Sequence, residues 1–204
     1  MGNIRIDATG KACPIPVVMT TKALNEVTEA GTVIVQVDNE VAVQNLLRLA
    51  SGRNLQAISK EIDENLFEVN IGVDEANTLE TENEEPICYP NKIDDTVVVI
   101  ASDCMGSGND ELGKILIKGF IYALAQLPKL PKTVIFYNGG AKIPVEGSAS
   151  LEDLKNLEAQ GVQIMTCGTC LEYYNLKEKL AVGSVTNMYV IVETMSKATK
   201  ILRP

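Results

Sequence analysis

Three of the five cysteines stand where a thiol could be put to use. Cys13 is followed by Pro14-Ile15-Pro16 and a helix-like run, while Cys167 and Cys170 bracket Gly168-Thr169 in a C-x-x-C. Proline disfavours the α conformation for the residue before it, so Pro14 holds Cys13 out of the coming helix and leaves it at the helix mouth. Proline is tolerated there because the N–H groups of a first turn have no partner within the helix. Pro14 and Pro16 remove two potential donors to the sulfur, leaving Ile15 N–H as the main one expected to face it. Peptide dipoles favour negative charge at a helix N-terminus, and the thiolate is the nucleophilic, sulfur-accepting form of cysteine. The chain has no histidine. That excludes Ser-His-Asp and Cys-His catalysis, histidine proton relays and most catalytic zinc sites, so a working thiol here must do without a histidine base. The competing reading of Cys13 is an inert small hydrophobe at a helix start.

The C-x-x-C lies between a strand-like and a helix-like segment, the usual setting for dithiol redox chemistry. A thioredoxin-like site also needs a proline facing the pair, and none occurs between Pro144 and Pro204. Zinc suits the pair poorly, since Cys13, Cys88 and Cys104 would have to converge on it. Two cysteines in a tight turn, with Gly168 supplying a permissive dihedral, is the plainer alternative. A further loop, Ser102-Asp103-Cys104-Met105-Gly106-Ser107-Gly108-Asn109-Asp110, follows a strand and opens a helix, where phosphates often bind. Its glycine spacing fits neither nucleotide-binding pattern, and Asp110 and Glu111 would repel a phosphate from the first helical turn. It reads as a sharp turn capped by Asn109. Cys104, Gly106 and Gly108 could still line a cleft shared with Cys167, although a semi-buried thiol is the favoured reading of Cys104. Neither a metal nor a cofactor is expected.

The elements that must position these residues follow from hydrophobic periodicity. Residues 3–7 read as a strand, 17–30 as a helix with Val17, Thr20, Leu24 and Val27 on one face, and 32–38 as a second strand. Val43, Leu46, Leu47 and Ala50 mark a second helix. Residues 55–61 and 65–71 form a hairpin across Asp63-Glu64-Asn65. This β-α-β-α-β-β order predicts a two-layer α/β sandwich over residues 1–72. Residues 73–93 hold six carboxylates and no cation before Pro86, the composition of an acidic linker. From 94 to 204, apolar strands alternate with helices: a strand from Asp95, a helix to Leu127, strands at 133–137 and 162–166, a helix at 150–160, a short helix after Cys170 and a last strand at 188–192. A three-layer α/β domain with a mostly parallel sheet is expected, its ligand loops at 102–109, 138–149 and 166–170.

The 204 residues carry a net charge of -9, which argues against nucleic acid and against an acidic membrane surface as partners. No signal-like or membrane-spanning run is present, so a cytoplasmic protein is expected. An odd number of cysteines in a chain of this length favours a reducing compartment over a disulfide framework.

Residues 4–71, with Cys13-Pro14-Ile15-Pro16 after the first strand, resemble the TusA/SirA-like sulfur carriers. That resemblance implies that Cys13 carries sulfur as a persulfide. Residues 94–204 resemble the DsrE-like sulfur-relay domains, which implies that Cys167 bears sulfur, with Cys170 its resolving partner. The two halves joined by an acidic linker resemble the YedF group, associated with selenium metabolism. A sulfurtransferase-like carrier is therefore expected, with a sulfur or selenium donor protein, an acceptor protein and homo-oligomers formed through the C-terminal domain. A dithiol oxidoreductase or redox sensor acting through Cys167 and Cys170, and a non-catalytic interaction module, stand as alternatives.

Overall fold

A computed structural model of the chain describes residues 2–73 and 93–204, so Cys88 and nearly all of the expected linker lie outside the described residues. The chain divides into two compact units, Met1–Cys88 and Tyr89–Pro204.

In the first unit, β1 (Gly2–Asp7), α1 (Ile15–Glu26), β2 (Gly31–Val37), α2 (Glu40–Gly52), β3 (Gln56–Asp63) and β4 (Leu66–Val73) follow the expected order. The sheet runs β1-β2-β4-β3, with β1 parallel to β2 and the other pairs antiparallel. Strand side chains alternate between faces, so Val33, Val35 and Val37 all point to one side. There they bury with Val69 and Ile71 against Ala23 and Leu24 of α1 and Leu46 and Ala50 of α2. Full burial of a side chain such as Leu46 or Ile71 contributes about 2 kcal/mol. Asn65 takes the left-handed φ of 57° that closes the β3–β4 hairpin, a conformation asparagine tolerates. Helix α1 begins two residues earlier than expected, with Pro16 inside its first turn, and ends four earlier, where Val27 turns to extended backbone.

The second unit contains β5 (Ile93–Ile100), α3 (Asp110–Leu124), β6 (Leu130–Phe136), a 3-10 turn (Asn138–Lys142), α4 (Leu151–Ala159), β7 (Gln163–Cys167), α5 (Gly168–Tyr173), β8 (Ser184–Thr186), α6 (Met188–Lys197) and β9 (Lys200–Leu202). All pairings in the sheet β8-β7-β6-β5-β9 are parallel. One face packs Val98, Ile100, Val134 and Phe136 against Ile117 and Ile121 of α3 and Leu154 and Leu157 of α4. The other packs Val97, Val99, Ile135 and Met165 against Ile191 of α6. Three layers result.

The expected strand at 188–192 is instead the first half of α6. Asn187 Oδ1 accepts the Val190 N–H at 3.1 Å and sets a helix start, and Ile191 and Met195, four residues apart, face the sheet. Capping and burial at a helical period override the strand preference of Val190-Ile191-Val192. The sheet edges are formed by β8 and β9, of three residues each. Strand β6 starts at Leu130, three residues before the expected 133, and takes in Pro131.

Candidate functional site

The loop from β1 to α1 carries Cys13 and is fastened at two points. Asp7 Oδ1 accepts the Thr9 N–H at 3.0 Å and its hydroxyl at 2.7 Å. Gly10, at a φ of 68° that favours glycine, donates its N–H to Asp38 Oδ2 at 2.6 Å. Asp38 ends the run from β2, and its Oδ1 accepts from Asn39 Nδ2 at 3.0 Å, while Asn39 Oδ1 caps α2 through the Ala42 N–H at 2.8 Å. The start of α2 and the cysteine loop are thereby tied together. Cys13 and Pro14 are the central residues of a turn closed by Ile15 N–H to the Ala12 carbonyl at 2.9 Å. The Ile15 amide, expected to face the sulfur, is used by that turn instead. Pro14 is the N-cap residue of α1, and Cys13 stands exposed in front of it. Cys13 borders a cleft of about 60 Å³ between the starts of the two helices, lined by Lys11, Pro16, Val17, Asn39, Val41 and Asn45 among others.

The Gly10 amide, and next the Asn39 amide, hold the Asp38 carboxyl below its ordinary 3.8. A carboxyl whose folded-state pKa is depressed keeps its contribution above the ordinary value and loses it as pH falls through the lowered one. The Asp38 tether is therefore expected to be complete above pH 3.8 and to release on stronger acidification. The Gly10 amide resonance reports this: protection from exchange should fall at low pH in the wild type and be absent at every pH in Asp38→Ala.

In the second unit the loops after β5, β6 and β7 converge. Asn138, at a φ of 50°, donates its N–H to Cys170 Sγ at 3.1 Å. Its side-chain Oδ1 accepts from the Tyr174 hydroxyl at 3.3 Å. Lys142 Nζ lies 4.9 Å from the centre of the Tyr174 ring and 3.4 Å from Asp103 Oδ2. Cys167 closes β7 and is 3% exposed, among Val97, Val99, Ile135, Met165 and Ile191. Cys170 lies within α5, which starts at Gly168 rather than after the second cysteine, and is half-buried against the same cluster. Gly168 leaves room for β8, since a Cβ there would come 3.0 Å from Val185 Cγ1.

Burial pushes the Cys170 thiol above its ordinary 9.0; the Asn138 amide pulls it back, and the neighbouring Cys167 thiol pushes it further up. Cys167→Ala should thus shift the alkylation of Cys170 to lower pH. Iodoacetamide rates against pH in a Cys13→Ser background, read on the Cys170 peptide, check it; an unchanged profile would mean that Cys167 does not act on Cys170.

Cys104 is a packed thiol. Its sulfur donates to the Asp110 carbonyl at 3.5 Å, and a Cβ at Gly113 would come within 2.8 Å of its own Cβ. Gly106 and Gly108 have φ of 75° and 147°, and Asn109 Oδ1 caps α3 through the Leu112 N–H at 2.9 Å. Among the described residues, no group of three or more acidic, cysteine or histidine side chains is placed to hold a metal ion, and no helix is long and apolar enough to cross a membrane. Asp38, Asn138, Lys142 and Tyr174 were not singled out from the sequence. The Asp-Asn after one strand and the Asn-Gly-Gly after another are the local signals that mark such loops.

Comparison with known proteins covers both units unequally. The family model described as sulfurtransferase TusA matches residues 4–73. MJ0990 of Methanocaldococcus jannaschii, named as a candidate sulfur carrier protein, is 34% identical over 67 residues, which are 33% of this chain and 89% of that protein. A crystal structure of a SirA-like protein from Desulfitobacterium hafniense is 45% identical over 35% of this chain and 99% of its own, with a TM-score of 0.34. The ychN protein of E. coli matches 53% of this chain and 98% of its own at 14% identity and a TM-score of 0.39. Through residues 4–73, with Cys13 exposed in front of α1, the chain belongs to the sulfurtransferase TusA family.

Proposed function

We propose that the chain carries sulfur, or selenium, as a persulfide or selenosulfide on Cys13 and hands it to a protein acceptor. The observation that carries this reading is the exposed Cys13 on an open cleft, inside the segment that matches the TusA family and a relative named for sulfur carriage. Loading is an exchange: the Cys13 thiolate attacks the outer sulfur of a donor persulfide, a sulfur–sulfur bond forms, and the donor thiolate leaves. No base is needed once the thiolate is present, which suits a chain without histidine.

The second unit is read as a DsrE-like relay domain, and the whole chain as a cytoplasmic protein of the YedF type. There, exposure favours Cys170 over Cys167 as the atom that meets an external sulfur, reversing the roles implied by resemblance. Homo-oligomers through this unit are supported by Leu112, Ile115 and Leu116, large apolar residues exposed on α3. Incubation of the full chain with a cysteine desulfurase charged from cysteine, or from selenocysteine, followed by intact mass, tests the carrier reading. Gain of a chalcogen atom supports it. Loss of two hydrogens alone points to a dithiol oxidoreductase, and an unchanged mass to an interaction module; either overturns it.

A further inference from the structure

Cys167 is a nucleophile with nowhere to go but one neighbour. It is 3% exposed and enclosed by the apolar cluster of β5, β6, β7 and α6, so no partner protein can reach it. Cys170 is the group of α5 that packs against this cluster while remaining partly open to solvent, and it stands three residues beyond Cys167, the extended N-cap residue of the same short helix. Residues three apart on a helix have Cβ atoms about 5–6 Å apart and a disulfide takes about 3.5–4.5 Å, so closing the bond draws the first turn of α5 in by about 1–2 Å. We infer that Cys167 resolves a persulfide formed on Cys170, releasing its outer sulfur as hydrosulfide and leaving a Cys167–Cys170 disulfide. This inference rests on the reading of Cys170 as a sulfur acceptor.

The step balances without an added oxidant. The Cys167 thiolate attacks Cys170 Sγ, a bond forms between the two cysteine sulfurs, and the bond from Cys170 Sγ to the outer sulfur breaks. The electron pair of the broken bond leaves on hydrosulfide, so the outer sulfur is reduced, the Cys167 sulfur is oxidised by the same amount, and Cys170 Sγ stays at the disulfide level. Resetting the pair requires an external dithiol reductant. Attack on the outer sulfur would only move it onto Cys167, expelling the Cys170 thiolate. A thiol with a raised pKa leaves more slowly, and burial raises that of Cys170, so displacement of hydrosulfide is favoured. The Asn138 N–H, 3.1 Å from Cys170 Sγ, holds the attacked sulfur in place. The second unit is then a site of sulfide release, coupled to a dithiol reductant, rather than a second storage thiol.

The test uses the full chain as Cys13→Ser, charged with polysulfide, freed of excess, and followed for hydrosulfide release and by peptide mapping. The expected result is a transient sulfur on Cys170, then hydrosulfide and a disulfide joining Cys167 to Cys170 in equal amounts. Cys167→Ala in the same background should keep the sulfur on Cys170, with release lost. Disulfide mapping of the Cys167-containing protein gives a readout that does not depend on how the alanine variant folds. Sulfur that stays on Cys170 with Cys167 intact, or release from Cys167→Ala at the same rate, overturns the inference and leaves the acceptor role of Cys170 standing. Failure of Cys170 to load at all overturns both.

Discussion

Cys13→Ser is expected to abolish sulfur loading of the first unit while changing its stability by no more than about 0.5 kcal/mol, the ordinary range for an exposed substitution. The two effects separate because the sulfur takes no part in holding the loop. That work is done by backbone groups and carboxylates: the Ile15 N–H closes the turn on the Ala12 carbonyl, and Asp38 fastens Gly10. A serine oxygen fits the same exposed position but forms no persulfide. Thermal melting together with counting of cyanide-labile sulfur checks both halves. Loading of the first unit at the wild-type level would remove Cys13 from the chemistry.

Gly140→Ala should act in the opposite manner, damaging the second unit from a position that bears no reactive group. A Cβ on Gly140 would overlap the carbonyl oxygen of Ile100 and come 2.9 Å from its carbon, at the end of β5. Both partners are backbone at the end of a buried strand, so neither can swing aside. Overpacking of this kind typically costs 1–3 kcal/mol and occasionally more, and about 3 kcal/mol is expected here. The same displacement lifts the 3-10 turn that presents the Asn138 N–H to Cys170, so the alkylation profile of any folded fraction should move further toward high pH. Denaturant unfolding of the full chain reads the first effect; a variant as stable as the wild type would contradict the close approach.

Much of this fold is written in short-range pattern. The alternation of Val33, Val35 and Val37 and the helical spacing of Val43, Leu46 and Ala50 are buried as their periods require. Helix α6 was not legible because Val190-Ile191-Val192 has the local character of a strand, and only the Asn187 cap and the inward placement of Ile191 and Met195 decide otherwise. Strands β8 and β9 are too short to show a period, and their pairing with β7 and β5 defines them.

The same division runs through the candidate sites. That Cys13 precedes the first helix follows from proline stereochemistry alone. Where the Ile15 amide points does not, because it closes a turn on the Ala12 carbonyl within a loop that Asp38 fastens at Gly10, 28 residues away in sequence. The Asn138 amide on Cys170 joins positions 32 apart, and the burial that separates Cys167 from Cys170 comes from β5, β6 and α6. Contacts between distant segments leave no local trace in composition or spacing.

Peptide mapping of the wild-type protein after charging by a cysteine desulfurase tests the role of Cys13 most directly. One added sulfur atom on the peptide that contains Cys13, removable by a thiol acceptor, is the expected result. Sulfur found on other cysteines while the Cys13 peptide stays unmodified would contradict it.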